Sequence, residues 1–550
     1  MKRLYKISYI FIIALTLFAC DDMLDGSPES FITTETFYNT IEEADIALSG
    51  AYSVINANNV AGKGNRNTFA NGLLYMLNGG TDEMILRNGN DQVRPFGVAS
   101  YNGEESHLIY NWYYWYAGIN AVNILLDRIE LMDVAEADEN RKNEMIAEAR
   151  FLRGIYHMYL AQLFGGIPVN TTAIADPMQE RQSLEVVYTQ VTEDLLYAYN
   201  NLNNRATHLG RADKWIAGAY LAKTYCYLGS CKTNNVSENL NFPLNSFQWV
   251  DANEMYSKAL PILNSIETDG GYVLINEYDR LFRATTSEDQ RKECLFMAEA
   301  NDNLTTRSTN NWYRILLGRG NYRQGGGPTD FLPTVELYKI YDAADIRRDH
   351  NLTDGLQRNP VPVDIDGYTY YTPFLIKDID KAGRNYSQSK FRVQGIESRT
   401  FTDKFNTEGN FPLIRLADVL LLKAEAEYYT GDEPGARNTI SKVRLRAAGN
   451  DTSVRDALDV AYNKSDFAEE LLEERSRELC FECQRRFDLI RFGKHLEAVA
   501  NLGPGSGQWN SEQQIAALKA NWSGHDFKIW YPIPKDQATI NTNLVQNPGY

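Results

Sequence analysis

Between Arg141 and Phe164, the residues Met145, Ala149, Leu152, Tyr156, Tyr159 and Leu163 recur at steps of three or four. That spacing puts all six on one side of a helix, and Gly165-Gly166 followed by Pro168 stops it. An apolar stripe of this length needs another element to cover it, so the chain must fold as packed helices. The pattern returns several times. Val187, Val191, Leu195 and Ala198 are in register between Leu184 and Leu202, and a helix from Lys214 to Leu228 ends at Gly229. Another spans Ala252 to Ile266. A further one spans Leu413 to Tyr429 and stops at Gly431. Pro434 then falls in the first turn of a helix that runs to Ala448 before Gly449. Small residues (Ala219, Ala222, Ala424, Ala426, Ala436) occupy positions where such helices approach closely.

The helices come in pairs that resemble tetratricopeptide repeats, although no strict 34-residue period holds. The expected fold is mostly α: helix pairs forming a solenoid scaffold, with a loop-rich region packed on it. The scaffold is expected mainly over 35–266 and 411–500 and the loop-rich region mainly over 267–410. Turn signals crowd the latter, among them Gly325-Gly326-Gly327-Pro328 and Asp366-Gly367. Residues 56–110 are rich in Asn and Gly. Irregular segments on a rigid scaffold are where binding residues are commonly held, so function is expected there.

The N-terminus reads as an address. Lys2, Arg3 and Lys6 precede an apolar stretch from Ile7 to Phe18, too short to span a bilayer. Residues 1–19 form a signal peptide, and Leu17-Phe18-Ala19-Cys20 resembles a bacterial lipobox, with Cys20 as the lipidated residue. A triacylated Cys20 would tether a soluble body of residues 20–550, its only link to the membrane. The whole chain carries a net charge of −17, and −20 without the three leader cations. A body that acidic repels nucleic acid and anionic lipid heads. Of the remaining cysteines, Cys480 and Cys483 have the spacing of half a zinc site. No second pair and no His pair completes it, so no metal or other cofactor is expected.

Five segments in order then resemble the SusD/RagB family, the surface glycan-binding lipoproteins of Bacteroidetes. They are Ala149 to Pro168; Gly210 to Gly229; Pro412 to Ala426; Glu474 to Arg491; and Tyr531 to Pro534 with the ending Asn541 to Tyr550. The resemblance implies four tetratricopeptide-like helix pairs beneath a variable loop-rich region. It implies a non-catalytic lid that holds oligosaccharide over a SusC-like TonB-dependent transporter in the outer membrane. Asp21-Asp22 after Cys20 is similar to a surface-export signal of that group, which places the body outside the cell.

Within this frame, the ten charges of Glu473 to Arg491 are read as a partly buried ion-pair network that fixes helix packing. Glu474 and Glu478 are expected to pair with Arg477, and Glu482 with Arg485 or Arg486. Arg150, Arg153, Arg415 and Asp418 get the same structural reading. The aromatic run Trp112 to Tyr116 leads into a helix and is read mainly as core. The glycan site is expected where 82–101 and 312–323 meet, with stacking rings from Tyr101, Trp312, Tyr313 and Tyr322. Asp82, Arg87 and Arg323 would contact sugar hydroxyls. No nucleophile elbow, zinc-protease motif or dinucleotide fingerprint is present. Two other readings compete with glycan capture: a surface-anchored glycoside hydrolase and a helical-repeat scaffold for protein partners.

Overall fold

The structure is a computed structural model. It describes residues 37–56, 68–86, 93–299, 315–317, 322–324, 330–354, 361–372, 386–395, 409–505 and 511–550. The leader and Cys20 lie outside these residues. Several of its helices start where an Asp, Ser or Thr precedes an apolar stripe. Helix α1 (Ile41–Tyr52) opens with a reciprocal cap between Thr40 and Glu43. After α2 (Gly72–Asn78), strand β1 (Met84–Leu86), α3 (Ser106–Ile129) and α4 (Glu139–Phe164), helix α5 (Leu184–Asn201) is capped by Ser183. Helix α6 (Lys214–Thr233) is capped by Asp213, which accepts from the N–H groups of Trp215 and Ile216. Asp251 caps α7 (Ala252–Asp269) in the same way.

Helices α3 to α7 each pack on the next in sequence, and α7 packs on α8 (Leu416–Tyr429), which lies some 150 residues further on. Helix α9 (Glu433–Ala447) continues the stack from α8. The solenoid is therefore interrupted by the loop-rich stretch and resumes after it. Two sequence expectations fail here. Residues 413–415 belong to a strand, because they pair with residues more than a hundred positions upstream. Gly229 lies inside α6 rather than ending it; a Cβ there would stand 2.9 Å from the ring of Tyr256 on α7, so the glycine serves close packing. Gly165, by contrast, is a true stop. Its φ is +79°, and a Cβ would fall 2.2 Å from Asn245 Oδ1, which accepts from the Gly166 N–H at 2.8 Å.

The intervening stretch folds as small antiparallel ladders. Strand β2 (Cys294–Ala298) pairs with β8 (Phe411–Arg415), and β1 pairs with β3 (Phe331–Pro333). Strand β4 (Leu352–Asp354) pairs with β7 (Tyr386–Gln388), and β5 (Val361–Ile365) pairs with β6 (Tyr368–Thr372). The last two are joined by Asp366-Gly367, both at positive φ, as a two-residue hairpin turn requires. A two-stranded ladder is marginal alone, so these must be pinned by the scaffold.

The pin is a buried charge network beneath α10 (Thr452–Tyr462), α11 (Phe467–Leu479) and α12 (Arg485–Arg491). Glu478 on α11 lies 2.6 Å from Arg415, 2.9 Å from Arg347 and 2.5 Å from Arg446. Arg415 also grips Glu482 through two nitrogens at 2.8 Å, and Glu293 at 3.0 Å. Glu474 holds Arg347, Arg444 and Arg477. Lys390, Glu470 and Asp345 complete a set of six cations and six carboxylates, all buried. The expected network is present and includes the expected Glu474–Arg477 pair, but the other partners differ. Glu482 pairs with Lys390 and Arg415, Arg485 pairs with Asp82, and Arg486 lies over the Tyr531 ring. The segment 480–484 is a turn, not helix, with Phe481 and Cys483 at positive φ; this redirects those side chains. A second network joins Lys223, Asp418, Arg475, Asp488, Arg491 and Glu425.

Removing one member of such a buried set strands the others. Arg415→Ala should cost about 3–5 kcal/mol and lower the urea midpoint correspondingly; an unchanged midpoint would contradict the clamp. Burial pushes the Glu478 carboxyl up, but Arg446, Arg415 and Arg347 outweigh it and hold it down at about 2. Its stabilisation is thus complete above the ordinary value of 4.5 and disappears as pH falls toward 2, so the melting temperature should drop across that window.

Candidate functional site

The β1–β3 ladder ends at Leu86 opposite Phe331. Because the strands are antiparallel, the chain leaving β1 toward Arg87 and the chain entering β3 from Arg323 and Asp330 share one end of the ladder. The ladder rests on α2 and α3: Tyr75 stacks between Phe331 and His107, and its hydroxyl donates to Asp330 at 2.7 Å. The next stem is Ile315–Leu317, all buried, where the Gln388 amide donates to the Ile315 and Leu317 carbonyls at 3.4 Å. Two loop regions that are far apart in sequence are therefore anchored side by side on the scaffold.

A third stem lies at Glu299. A cleft of about 330 Å³ runs between α1 and the end of β2, walled by Tyr52, Asn56, Arg211, Phe296 and Glu299. Asn56 donates to the Glu299 carbonyl at 3.0 Å, and Arg291 pairs with the Glu299 carboxylate. Arg211 is held by Asp45 at 2.8 Å. The acids here are ion-paired, which suits non-covalent holding of a polar ligand. Among the described residues no cluster of His, Cys, Asp or Glu is placed to hold a metal ion.

The expected site residues divide. Asp82 receives two bonds from Arg485, at 2.7 and 2.5 Å, and its side chain is 19% exposed; it ties the start of β1 to α12. Tyr101 differs from the expected solvent-facing ring. It is 4% exposed, its hydroxyl donates to the Lys528 carbonyl at 2.9 Å, and its ring packs on Phe96, Tyr531 and Tyr550. The turn at Asn102-Gly103 is real, but the C-terminal segment covers it: the Lys535 N–H donates to the Gly103 carbonyl at 2.8 Å. Arg323 is exposed in the short turn Tyr322–Gln324. Arg87, Trp312, Tyr313 and the Tyr322 side chain lie outside the described residues.

In the aromatic run, Trp112, Tyr114 and Trp115 are buried as expected, Tyr116 is half-buried, and Tyr113 is 43% exposed. This helix also carries polar and aromatic residues that were not among the expected site residues. Tyr113, Tyr116 and Asn120 stand on one helical face at steps of three and four, a signal legible in the sequence.

The described residues form a helical-repeat scaffold on which the stems of long irregular segments are anchored. Comparisons with known proteins make this specific. A family model described as the SusD family matches residues 376–550. A second, described as starch-binding and associating with the outer membrane, matches residues 27–226. A SusD-like protein of Formosa agariphila is 25% identical, with the whole of both chains covered. The starch-binding protein SusD of Bacteroides thetaiotaomicron is 25% identical over 86% of this chain and 84% of its own. Among solved structures, a SusD homolog from Bacteroides thetaiotaomicron superimposes with a TM-score of 0.72 at 22% identity, covering 94% of this chain and 98% of that one. A laminarin-binding SusD-like protein superimposes with a TM-score of 0.66 at 22% identity, covering 92% and 99%. The chain belongs to the SusD/RagB family.

Glu83, beside Asp82, gives a test of this region. Burial pushes its carboxyl up from 4.5 to about 7; Arg485 opposes the rise and Asp82 adds to it. Its Oε1 accepts from Ser476 at 2.7 Å. The stabilisation from the protonated form is complete below pH 4.5 and is lost as pH rises through 7. Glu83→Gln should remove on the order of 3 kcal/mol of pH dependence between those limits. Equal pH slopes for the variant and the parent chain would contradict the assignment.

Proposed function

We propose that this chain is a surface-exposed, lipid-anchored outer-membrane protein that captures oligosaccharide and passes it to a SusC-like TonB-dependent transporter without cleaving it. The observation that supports the reading is the β1–β3 ladder, which sets the chain leaving β1 at Leu86 beside the chain entering β3 at Phe331 on a rigid support. Family membership supports it, as do the starch-binding and laminarin-binding relatives. In this reading Trp312, Tyr313 and Tyr322 supply stacking faces, and Arg87 and Arg323 supply donors to sugar hydroxyls. Asp82 contributes by holding the stem of the first loop. Tyr101 is part of the packed core and is not assigned to the site. Cys20 carries the anchor, and the ligand is retained rather than hydrolysed.

Affinity electrophoresis in gels containing soluble starch or laminarin tests the site. Trp312→Ala should weaken retention about ten-fold, the equivalent of about 1.4 kcal/mol, with an unchanged helical circular-dichroism spectrum. Full retention would remove Trp312 from the site, and release of reducing ends from the same glycans would favour the hydrolase reading. For the anchor, Cys20→Ala should abolish fatty-acid labelling and shift the protein out of the outer-membrane fraction. A pull-down of the unmodified protein from mild detergent should bring down a large β-barrel protein in near-equal amount; recovery of the chain alone would count against the lid.

A further inference from the structure

A second groove, of about 490 Å³, lies between the outer face of α3 and the chain segments 168–179 and 537–544. Among the described residues, none of the expected site residues lines it. Its wall on α3 is built at helical spacing: Trp112, Tyr113 and Tyr116, then Asn120. Trp112 and Tyr116 pack with ring centroids 5.0 Å apart and their planes tilted by 48°, and the Tyr116 hydroxyl is fixed by donation to the Pro168 carbonyl at 2.8 Å. These rings are rigidly held, and Tyr113 is 43% exposed beside them.

The remaining lining mixes five primary amides with six apolar residues and Asp176. Asn123 braces the floor, donating to the carbonyls of Asn170 and Thr172 and accepting from Arg153. Gln179 donates to the Val169 carbonyl, and Asn541 donates to the Gln179 carbonyl. These bonds lock the walls. The Asn170 side-chain oxygen is buried and has no internal donor, a state that costs free energy unless a ligand hydroxyl or water supplies one. Asp176 is the groove's one charged lining residue among those described, and no cation faces it. The volume falls within the range of small-ligand sites.

Rings plus amides, with no cation, select for a ligand that offers an apolar face and neutral hydroxyls together. We propose that this groove is a second binding site, for a neutral saccharide, separate from the loop site. Sugar C–H faces stack on Tyr113 and Tyr116, while vicinal hydroxyls both donate to and accept from Asn120, Asn170 and Gln537. Anionic glycans are disfavoured by Asp176 and by the absence of a basic partner.

The test starts from the full mature chain carrying Trp312→Ala, so that failure of the loop site is read separately against the parent protein. Native gels containing soluble starch, laminarin, galactomannan or xylan should still retard this variant in at least one case. Adding Tyr113→Ala and Asn120→Ala, both on an exposed face, should weaken that residual retention at least about ten-fold, with the melting temperature within about 2 °C. Absence of retardation in every gel, or retention unaffected by the added changes, would overturn the second site. Loss of transporter co-purification with saccharide retention intact would also overturn it, identifying the groove as a protein-docking surface instead.

Discussion

The Glu478 carboxylate, fully buried among Arg347, Arg415 and Arg446, is the constraint on which the rest of the molecule depends. Its partners come from the short helix at 346–351, from the end of β8 and from α9. Glu293, at the start of β2, joins through Arg415 and Arg446, and Lys390 joins through Glu482. The network therefore ties both ends of the interrupting stretch to the resumed solenoid. A buried ion pair is not in itself a strong source of stability, because desolvation offsets the attraction. What it supplies here is position. Each carboxylate is satisfied only when several cations from distant segments arrive together, so one arrangement of the small ladders is compatible with a closed core.

That positioning explains how weak local elements can hold a binding surface. Three-residue strands cannot fix a loop by themselves. The β1–β3 ladder succeeds because Asp82 is held by Arg485 on α12, Glu83 by Ser476 on α11, and Tyr75 links α2 to Asp330. The stems of the candidate loops are thus continuous with the charged core. Rigid support and variable loops are the division of labour expected of a family that binds different ligands on one fold.

The helices were legible because their signals are local: stripes at three and four residues, Asp or Ser caps, and glycines at Gly165 and Gly431. The strand at 411–415 was not, since its partner Cys294–Ala298 is remote and its own residues suit a helix as well. The charge network was legible as a kind of interaction, but its pairings depend on the break at 480–484, which helix spacing cannot reveal. Tyr101 shows the converse failure. Asn102-Gly103 correctly reports a turn, but turn chemistry says nothing of the C-terminal segment that closes over the ring. Tyr113 was masked by its neighbours: five aromatic residues in a row surround the helix, so some rings face the core while one faces out.

The proposed glycan site lies on loops carried by a clamped scaffold, and the clamp should hold that scaffold unchanged on binding. Hydrogen exchange of the mature protein, read by mass spectrometry with and without a retained polysaccharide such as laminarin or starch, tests it directly. The account predicts that peptides spanning 87–95 and 300–330 gain protection while α8, α11 and α12 exchange as before. Unchanged exchange in both loop segments, with new protection appearing in the charge-clamped helices, would contradict it.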